Sequence, residues 1–328
     1  MSNKVSICVA YYNRSEYVQD CITSLLNQDY PNFEVVVVND GSTDPNTALI
    51  LDAIEDPRLK VIHQKNTGFV GAISKAIGTS TGEYIAIMGA GDVCHPMRIK
   101  MQAAVLDSDE NIGVVGCLYE NVYFGGPEDG KREKRTHSDK DISAKEFLSG
   151  PNPLGHGEVL YRRSIYNLVG GYRPFFKFSQ DLDLWLRMVD HCNVKVLQEF
   201  LYERRLFATD GVSTDPKKLL LQKYLAQFAR QCYSDRHELG YDYVERYGIH
   251  AGFFKKPSKA LATNTQWHCV QSLKKQDFEN ARYFSELASY EVQTYKYNFI
   301  KLFIAMSKSQ LGKNILNKFF QLQTLLKK

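Results

Sequence analysis

Phe33-Glu34-Val35-Val36-Val37-Val38-Asn39-Asp40-Gly41-Ser42-Thr43-Asp44 decides the fold. The valine run is β-branched, apolar on both alternating faces and too short for a helix, so it reads as a fully buried strand that stops at a turn-forming cluster. Val5 to Ala10 is an earlier strand of the same kind, and Val18, Cys21, Ile22, Leu25 and Leu26 recur between the two at helical spacing. Downstream, a helical stretch leads to a strand at Leu59 to His63. A helix after Gly68 carries Val70, Ile73 and Ile77 on one face, and Tyr84 to Met88 is a fourth strand. Strands alternating with helices predict βαβ units and an α/β fold with a mostly parallel sheet. Open sheets of this kind bind ligands outside the carboxyl ends of their strands. Tyr11 to Asn13, Asn39 to Asp44 and Gly89 to Asp92 therefore fall along one edge.

The 328 residues carry a formal net charge of +4, unevenly spread. Residues 1–215 hold 22 Lys and Arg against 29 Asp and Glu, whereas 216–328 hold 19 against 8. Beyond Asp215-Pro216 the pattern is helical throughout, which predicts two units, an α/β domain at 1–215 and a helical C-terminal domain at 216–328. The polar stretch from Gly125 to Lys145 predicts a loop or exposed hairpin. The seven cysteines form no CxxC pair, so neither a disulfide framework nor a zinc site is indicated, and a reducing, cytoplasmic compartment fits. Met1 to Asn13 is too polar for a signal peptide, and no apolar run is long enough to span a membrane.

Val5-Ser6-Ile7-Cys8-Val9-Ala10-Tyr11-Tyr12-Asn13-Arg14, Ser24-Leu25-Leu26-Asn27-Gln28 and the Phe33 to Asp44 run, in that order and spacing, resemble the opening of family 2 glycosyltransferases. The resemblance covers about the first 215 residues. It implies a GT-A fold, a nucleotide-activated sugar donor, inversion at the anomeric carbon and a divalent cation, Mn²⁺ or Mg²⁺.

The same resemblance implies site residues. Asp40 matches a nucleoside-binding Asp; an Asx-type turn is the other reading. Tyr12 stacks on the base or is a buried aromatic with a satisfied hydroxyl, and Ala10 and Glu16 match positions lining that pocket. Asn66-Thr67-Gly68-Phe69-Val70-Gly71 resembles a glycine-containing loop that approaches the ligand. Gly89-Ala90-Gly91-Asp92 stands where many relatives have Asp-x-Asp-Asp, which leaves Gly91 beside the nucleotide and Asp92 alone to hold the metal; capping of the next helix is the alternative.

Phe178-Ser179-Gln180-Asp181-Leu182-Asp183-Leu184-Trp185 matches Glu-Asp-x-Asp-Leu-Trp, whose first Asp is the catalytic base, here Asp181. Asp183, two residues on, points roughly 200° away on a helix; both acids could instead favour a helix N-terminus capped by Ser179. His156, in Gly155-His156-Gly157-Glu158, donates to diphosphate or acceptor, or is a core histidine bonded to backbone. Arg204, Arg205 and Gly211-Val212-Ser213 match a segment that folds over the diphosphate, and Phe207 or Ala208 replaces a frequent histidine ligand.

In the tail, Leu311, Ile315, Phe319, Leu322 and Leu326 form one helical stripe, and Lys296, Lys301, Lys308, Lys313, Lys318, Lys327 and Lys328 are interleaved with no acid after Glu291. A basic amphipathic helix lies on an anionic membrane at the inner face of the cell, or packs on its own domain or on a second subunit. No nucleic-acid-binding module frames these lysines. The reading that unites these features is an inverting transfer of a sugar, UDP-linked, to a hydroxyl of a surface glycan or lipid-linked saccharide. The alternative is a scaffold protein of the same fold that has lost catalysis. A nucleotidyltransferase is disfavoured because no early Gly-rich loop bearing Lys or Arg is present.

Overall fold

The computed structural model describes residues 2–138, 140–208, 215–292 and 295–325. Gly211-Val212-Ser213, Leu326, Lys327 and Lys328 lie outside them. The chain begins β1 (Val5–Tyr11), α1 (Val18–Leu26), β2 (Phe33–Asp40), α2 (Pro45–Asp52), β3 (Leu59–Gln64), α3 (Gly68–Thr79) and β4 (Tyr84–Met88). The four strands expected from apolar runs are all present, each within two residues of its expected ends. Next come β5 (Val93–Cys94), α4 (Arg98–Ser108), β6 (Ile112–Phe124), β7 (Arg132–Arg135), α5 (Ala144–Leu148), β8 (Leu160–Arg162), α6 (Arg163–Leu168), α7 (Gln180–Met188) and β9 (Asn193–Phe207). Helices α8 (Pro216–Leu239), α9 (Tyr243–Tyr247), α10 (Lys259–Lys274), α11 (Phe278–Ser289), α12 (Tyr295–Met306) and α13 (Gln310–Leu325) complete it.

The strands form one sheet in the order β3-β2-β1-β4-β8-β6-β9-β5, with β7 paired to β6 outside that path. From β3 to β4 every pairing is parallel, as the βαβ pattern predicts. The second half is mixed: β8 runs antiparallel to both β4 and β6, β5 antiparallel to β9, and β6 parallel to β9. The sheet is thus less uniformly parallel than expected, because β8 and β5 run against their neighbours. The charged 125–145 stretch contributes β7, which makes an antiparallel hairpin with β6.

Register brings the functional edge together. Tyr11 pairs with Asn39 and Val9 with Met88, so the carboxyl ends of β1, β2 and β4 finish side by side. Apolar side chains cover both faces of the sheet. One core gathers Cys8, Val36, Ile87, Tyr161 and Trp185 under α3 and α7, the other Ile7, Val35, Leu25 and Ile99 under α1 and α4. Burial of each such Val, Leu or Ile stabilises by about 1.5–3 kcal/mol. Leu225, Phe228 and Cys232 of α8 belong to the first core as well, so packing runs across residue 215 even though secondary structure changes there. A third core, built on Leu273, Phe284, Leu316 and Phe320, joins α10, α11 and α13.

Candidate active site

The loop after β1 is the first wall of the edge. Asn13 and Arg14 adopt φ of 56° and 62°, a left-handed conformation costing a non-glycine residue of order 1–3 kcal/mol. Hydrogen bonds hold it: Asn13 Oδ1 accepts from the Thr43 and Asp44 amides at 2.9 and 3.3 Å, and its own N–H donates to Ser42 Oγ at 2.8 Å. The β1 and β2 loops are thereby laced into one rim. Tyr12 projects from it, 45% exposed, while its neighbour Tyr11 is the buried aromatic. Ala10 is half-buried and Glu16 exposed beside it.

Asp40, 3% exposed, closes the second wall. Its Oδ1 accepts from the Thr67 amide at 2.8 Å, Thr67 Oγ1 at 3.0 Å and Gln64 Nε2 at 2.8 Å. It therefore does not cap its own turn; it ties the end of β2 to the glycine-containing loop that opens α3. Oδ2 takes part in none of these bonds. Gly41, at φ 68°, is required here, since a Cβ would come within 2.6 Å of the Asn66 amide nitrogen.

Asp92 lies under the loop after β4. Tyr202 Oη donates to its Oδ2, and the Arg205 amide donates to Oδ1 at 2.8 Å. Burial raises its pKa, against these hydrogen bonds and the charges of Arg14 and Arg204. Helix α4 starts only at Arg98, so Asp92 is not its cap. A Cβ on Gly89 would sit 2.1 Å from Asp92 Oδ2, and one on Gly91 would meet Tyr17, Phe207 and Arg14 at 3.3–3.8 Å. Gly89 therefore has no room for a side chain, and Gly91 is held at a φ of 86° that disfavours one.

Among the described residues no three His, Cys, Asp or Glu gather as a metal cage. The donor set is the single carboxylate of Asp92, each oxygen already accepting one hydrogen bond and retaining a second lone pair. That suits a hard cation only if diphosphate oxygens and water complete its shell.

Asp181 lies at the N-terminus of α7. Asn152 Nδ2 donates to Asp181 Oδ2 at 3.0 Å, and Asn152 Oδ1 is buried with no partner among the described residues. Burial raises the Asp181 pKa, opposed by the Leu182 amide and by Asn152. Asp181 lines a cavity of about 490 Å³ with Asn152, Gln222, Lys223, Arg230 and Asn264, which none of the residues of the β1, β2 and β4 loops lines. Asp183 turns the other way, buried against Arg173 and Arg187. Ser179 does not cap α7: its residue is left-handed, and its Oγ donates to the Gln222 carbonyl at 2.9 Å.

A second cavity of about 490 Å³ lies on the other side of Asn152, lined also by Tyr119, Glu158 and Arg204. Arg204 Nε donates to Asn121 Oδ1 at 2.8 Å. Successive residues on a strand face opposite ways, so Arg204 and Arg205 do not form one fork. Arg205 instead lies over Tyr17 and Phe124 and pairs with Asp20 at 3.4 Å. His156 is bonded through Nε2 to the Tyr172 hydroxyl and packs edge-on against Phe69. Burial pushes its pKa down to about 3, so it is neutral, and its partner is a side chain rather than backbone.

Sequence reading did not single out Asn152, Tyr202 or the α8 residues around Asp181. Asn152 sits in Gly150-Pro151-Asn152-Pro153, a turn signal with no hint of its neighbour. Tyr202 reads as one more strand aromatic.

This set of loops at one sheet edge agrees with sequence comparison, in which the Glycosyl transferase family 2 profile matches residues 6–169. The chain belongs to glycosyl transferase family 2. EpsE of Bacillus subtilis (strain 168), named as a glycosyltransferase, is 31% identical over 209 residues, 62% of this chain and 73% of EpsE. An uncharacterized glycosyltransferase of Haemophilus influenzae is 29% identical over 170 residues, and the match spans only 49% of its length. Among solved structures, Staphylococcus aureus TarS 1-349 in complex with UDP-GlcNAc aligns with a TM-score of 0.58 at 16% identity, covering 86% of this chain and 90% of that one. The mannosyltransferase PcManGT of Pyrobaculum calidifontis, in complex with GDP-Man and Mn²⁺, aligns at 0.53 and 16% identity, covering 100% and 87%. These two share the fold, a GT-A arrangement followed by helices. Family 2 members are sugar-transferring enzymes, and the edge loops with Asp40 and Asp92 and the α7 N-terminus with Asp181 are the candidate site residues in this member.

Proposed function

We propose that this glycosyltransferase moves a sugar from a nucleotide diphosphate donor, UDP-linked, to a hydroxyl of a saccharide acceptor in a surface glycan or on a lipid carrier, with inversion. In this reading Asp181 takes the acceptor proton as that oxygen bonds to the anomeric carbon. The bond from that carbon to phosphate breaks on the opposite face, and the nucleoside diphosphate leaves. One observation carries the reading: Asp181 lines a cavity, the affinity of its carboxylate for a proton is raised by burial, and Asn152 holds it in place. A base works best when its pKa approaches the working pH.

The nucleoside is assigned to the rim of Ala10, Tyr12, Glu16 and Asp40, where Tyr12 is exposed for stacking and Asp40 Oδ2 is outside the loop bonds. The diphosphate is assigned to the loop at Gly91 and Asp92, with Arg204 as the cavity-facing guanidinium and Arg205 acting through its amide on Asp92. Neutral His156 offers a hydrogen bond rather than a charge. Asp92 is the one carboxylate here that would hold a divalent cation, which would offset charge on the leaving group. A division near residue 215 remains our proposal for domain organisation, with α8 serving both units because Gln222, Lys223 and Arg230 line the Asp181 cavity.

The test is a panel of nucleotide sugars, with and without Mn²⁺, scored by thermal shift and by released nucleoside diphosphate. A donor that binds only the folded chain raises its melting temperature, and its turnover with a saccharide acceptor supports transfer. The lack of acids at Gly89 and Gly91 favours the scaffold reading, which predicts donor binding with no nucleoside diphosphate released.

A further inference from the structure

Helix α13 is apolar on two sides and buries only one. Leu316 and Phe320 enter the third core with Ile300. The stripe legible in the sequence faces out instead: Leu311, Ile315, Phe319 and Leu322 are exposed, Leu311 at 72% and Leu322 at 60%. In α12, Phe299 and Leu302 are exposed at 64% and 57%. The Phe303 and Phe319 rings lie 5.6 Å apart, which joins the two helices into one hairpin. Packing on the chain's own domain therefore does not account for this stripe, although it was one of the readings open from sequence.

Charge identifies what would cover it. Lys296, Lys301, Lys308 and Lys318 are exposed on the same two helices or their connection, Lys313 is half-buried, and residues 292–328 contain no Asp or Glu. The positive charge thus has no compensation within the segment. Cores of protein–protein interfaces are depleted in lysine, whereas an apolar helix face flanked by lysines suits a bilayer surface carrying negative headgroups. Among the described residues no helix is long and apolar enough to cross a membrane, so the contact is in the plane of the surface.

We propose that the α12–α13 hairpin docks this protein on an anionic lipid bilayer, with Phe299, Leu302, Leu311, Ile315, Phe319 and Leu322 entering the headgroup layer and the lysines meeting lipid phosphates. The proposal stands apart from the sugar-transfer reading. The full chain is sedimented with vesicles of phosphatidylglycerol and phosphatidylcholine in equal parts, and with phosphatidylcholine alone, at low and high salt. The expected result is binding to the anionic vesicles only, weakened by salt. The triple variant F299S/L311S/L322S, whose side chains are the most exposed of the set, should retain the wild-type melting temperature and bind the anionic vesicles about ten-fold or more weakly. Failure of the wild type to sediment with anionic vesicles overturns the proposal, as does undiminished binding by the folded triple variant. A dimer that the triple variant dissociates, without vesicle binding, assigns the face to a second copy instead.

Discussion

The Tyr202 hydroxyl donates to the Asp92 carboxylate and fills the space that side chains at positions 89 and 157 would need. An ideal Cβ on Gly157 would lie 2.0 Å from this hydroxyl, and one on Gly89 3.1 Å from it and 2.1 Å from Asp92 Oδ2. Two glycines distant in sequence thus answer to one hydrogen bond.

Gly89→Ala should therefore destabilise the fold by about 1–3 kcal/mol, the usual cost of overpacking. It should also reduce the melting-temperature gain given by UDP. Gly91→Asp, which would place an acid at a φ of 86° that a side chain disfavours, should not improve Mn²⁺-dependent binding. Thermal melts with and without UDP and Mn²⁺ check both, and a tighter-binding Gly91→Asp would contradict this reading of Gly91.

Arg204 and Arg205 should separate in kinetics because their side chains leave β9 on opposite faces. Arg204→Ala removes the cavity-facing charge and should raise the donor KM about ten-fold or more, given about 1.5–3 kcal/mol for a hydrogen bond to a charged group. Arg205→Ala keeps the amide that holds Asp92, so its donor KM should change much less. Steady-state kinetics over a range of donor concentration decides.

Asp183→Ala should behave as a stability mutant. It leaves Arg187, 7% exposed, without a carboxylate and Arg173, 15% exposed, with Asp242 alone, a loss of about 3–5 kcal/mol for a broken buried pair. Burial alone would raise the Asp183 pKa, but Arg187 and Arg173 outweigh it and the pKa is lowered. The pair's contribution is thus complete above the ordinary carboxylate range and is lost as pH falls through the lowered value. Urea unfolding of both proteins at neutral and acid pH should show the gap narrowing in acid.

Legibility in the sequence followed the range of the forces involved. Strands β1 to β4 were visible because each is a dense apolar run flanked by turn residues, and the edge loops followed from strand direction alone. The antiparallel placement of β8 and the pairing of β6 with β9 were not, since partners tens of residues apart leave no local signal. Helical spacing shows that Asp181 and Asp183 face different ways, with which the ion pairs of Asp183 agree, while the choice of Asp181 as base rests on the family resemblance. The opposite facing of Arg204 and Arg205 was missed because β9 was not recognised as a strand. The exposed stripe of α13 was legible as a stripe, but which side of the helix the core would take depended on Leu316 and Phe320 meeting Ile300.

Asn152 should tune the base. Removing the amide in Asn152→Ala deletes a hydrogen bond that favours the charged form, so the Asp181 pKa, already raised by burial, should rise further. The carboxylate must be unprotonated to accept the acceptor proton, so activity falls as pH drops through this pKa. The acid limb of kcat/KM should accordingly move to higher pH in the variant, with donor binding unchanged; an unmoved limb would detach Asn152 from the base.

The most direct measurement is sugar transfer and UDP-induced thermal shift for Asp181→Asn, once a donor has been found. The account predicts that transfer falls by about a thousand-fold, within the range for loss of a general base, while the shift produced by UDP stays at the wild-type value. Wild-type turnover by Asp181→Asn would contradict it.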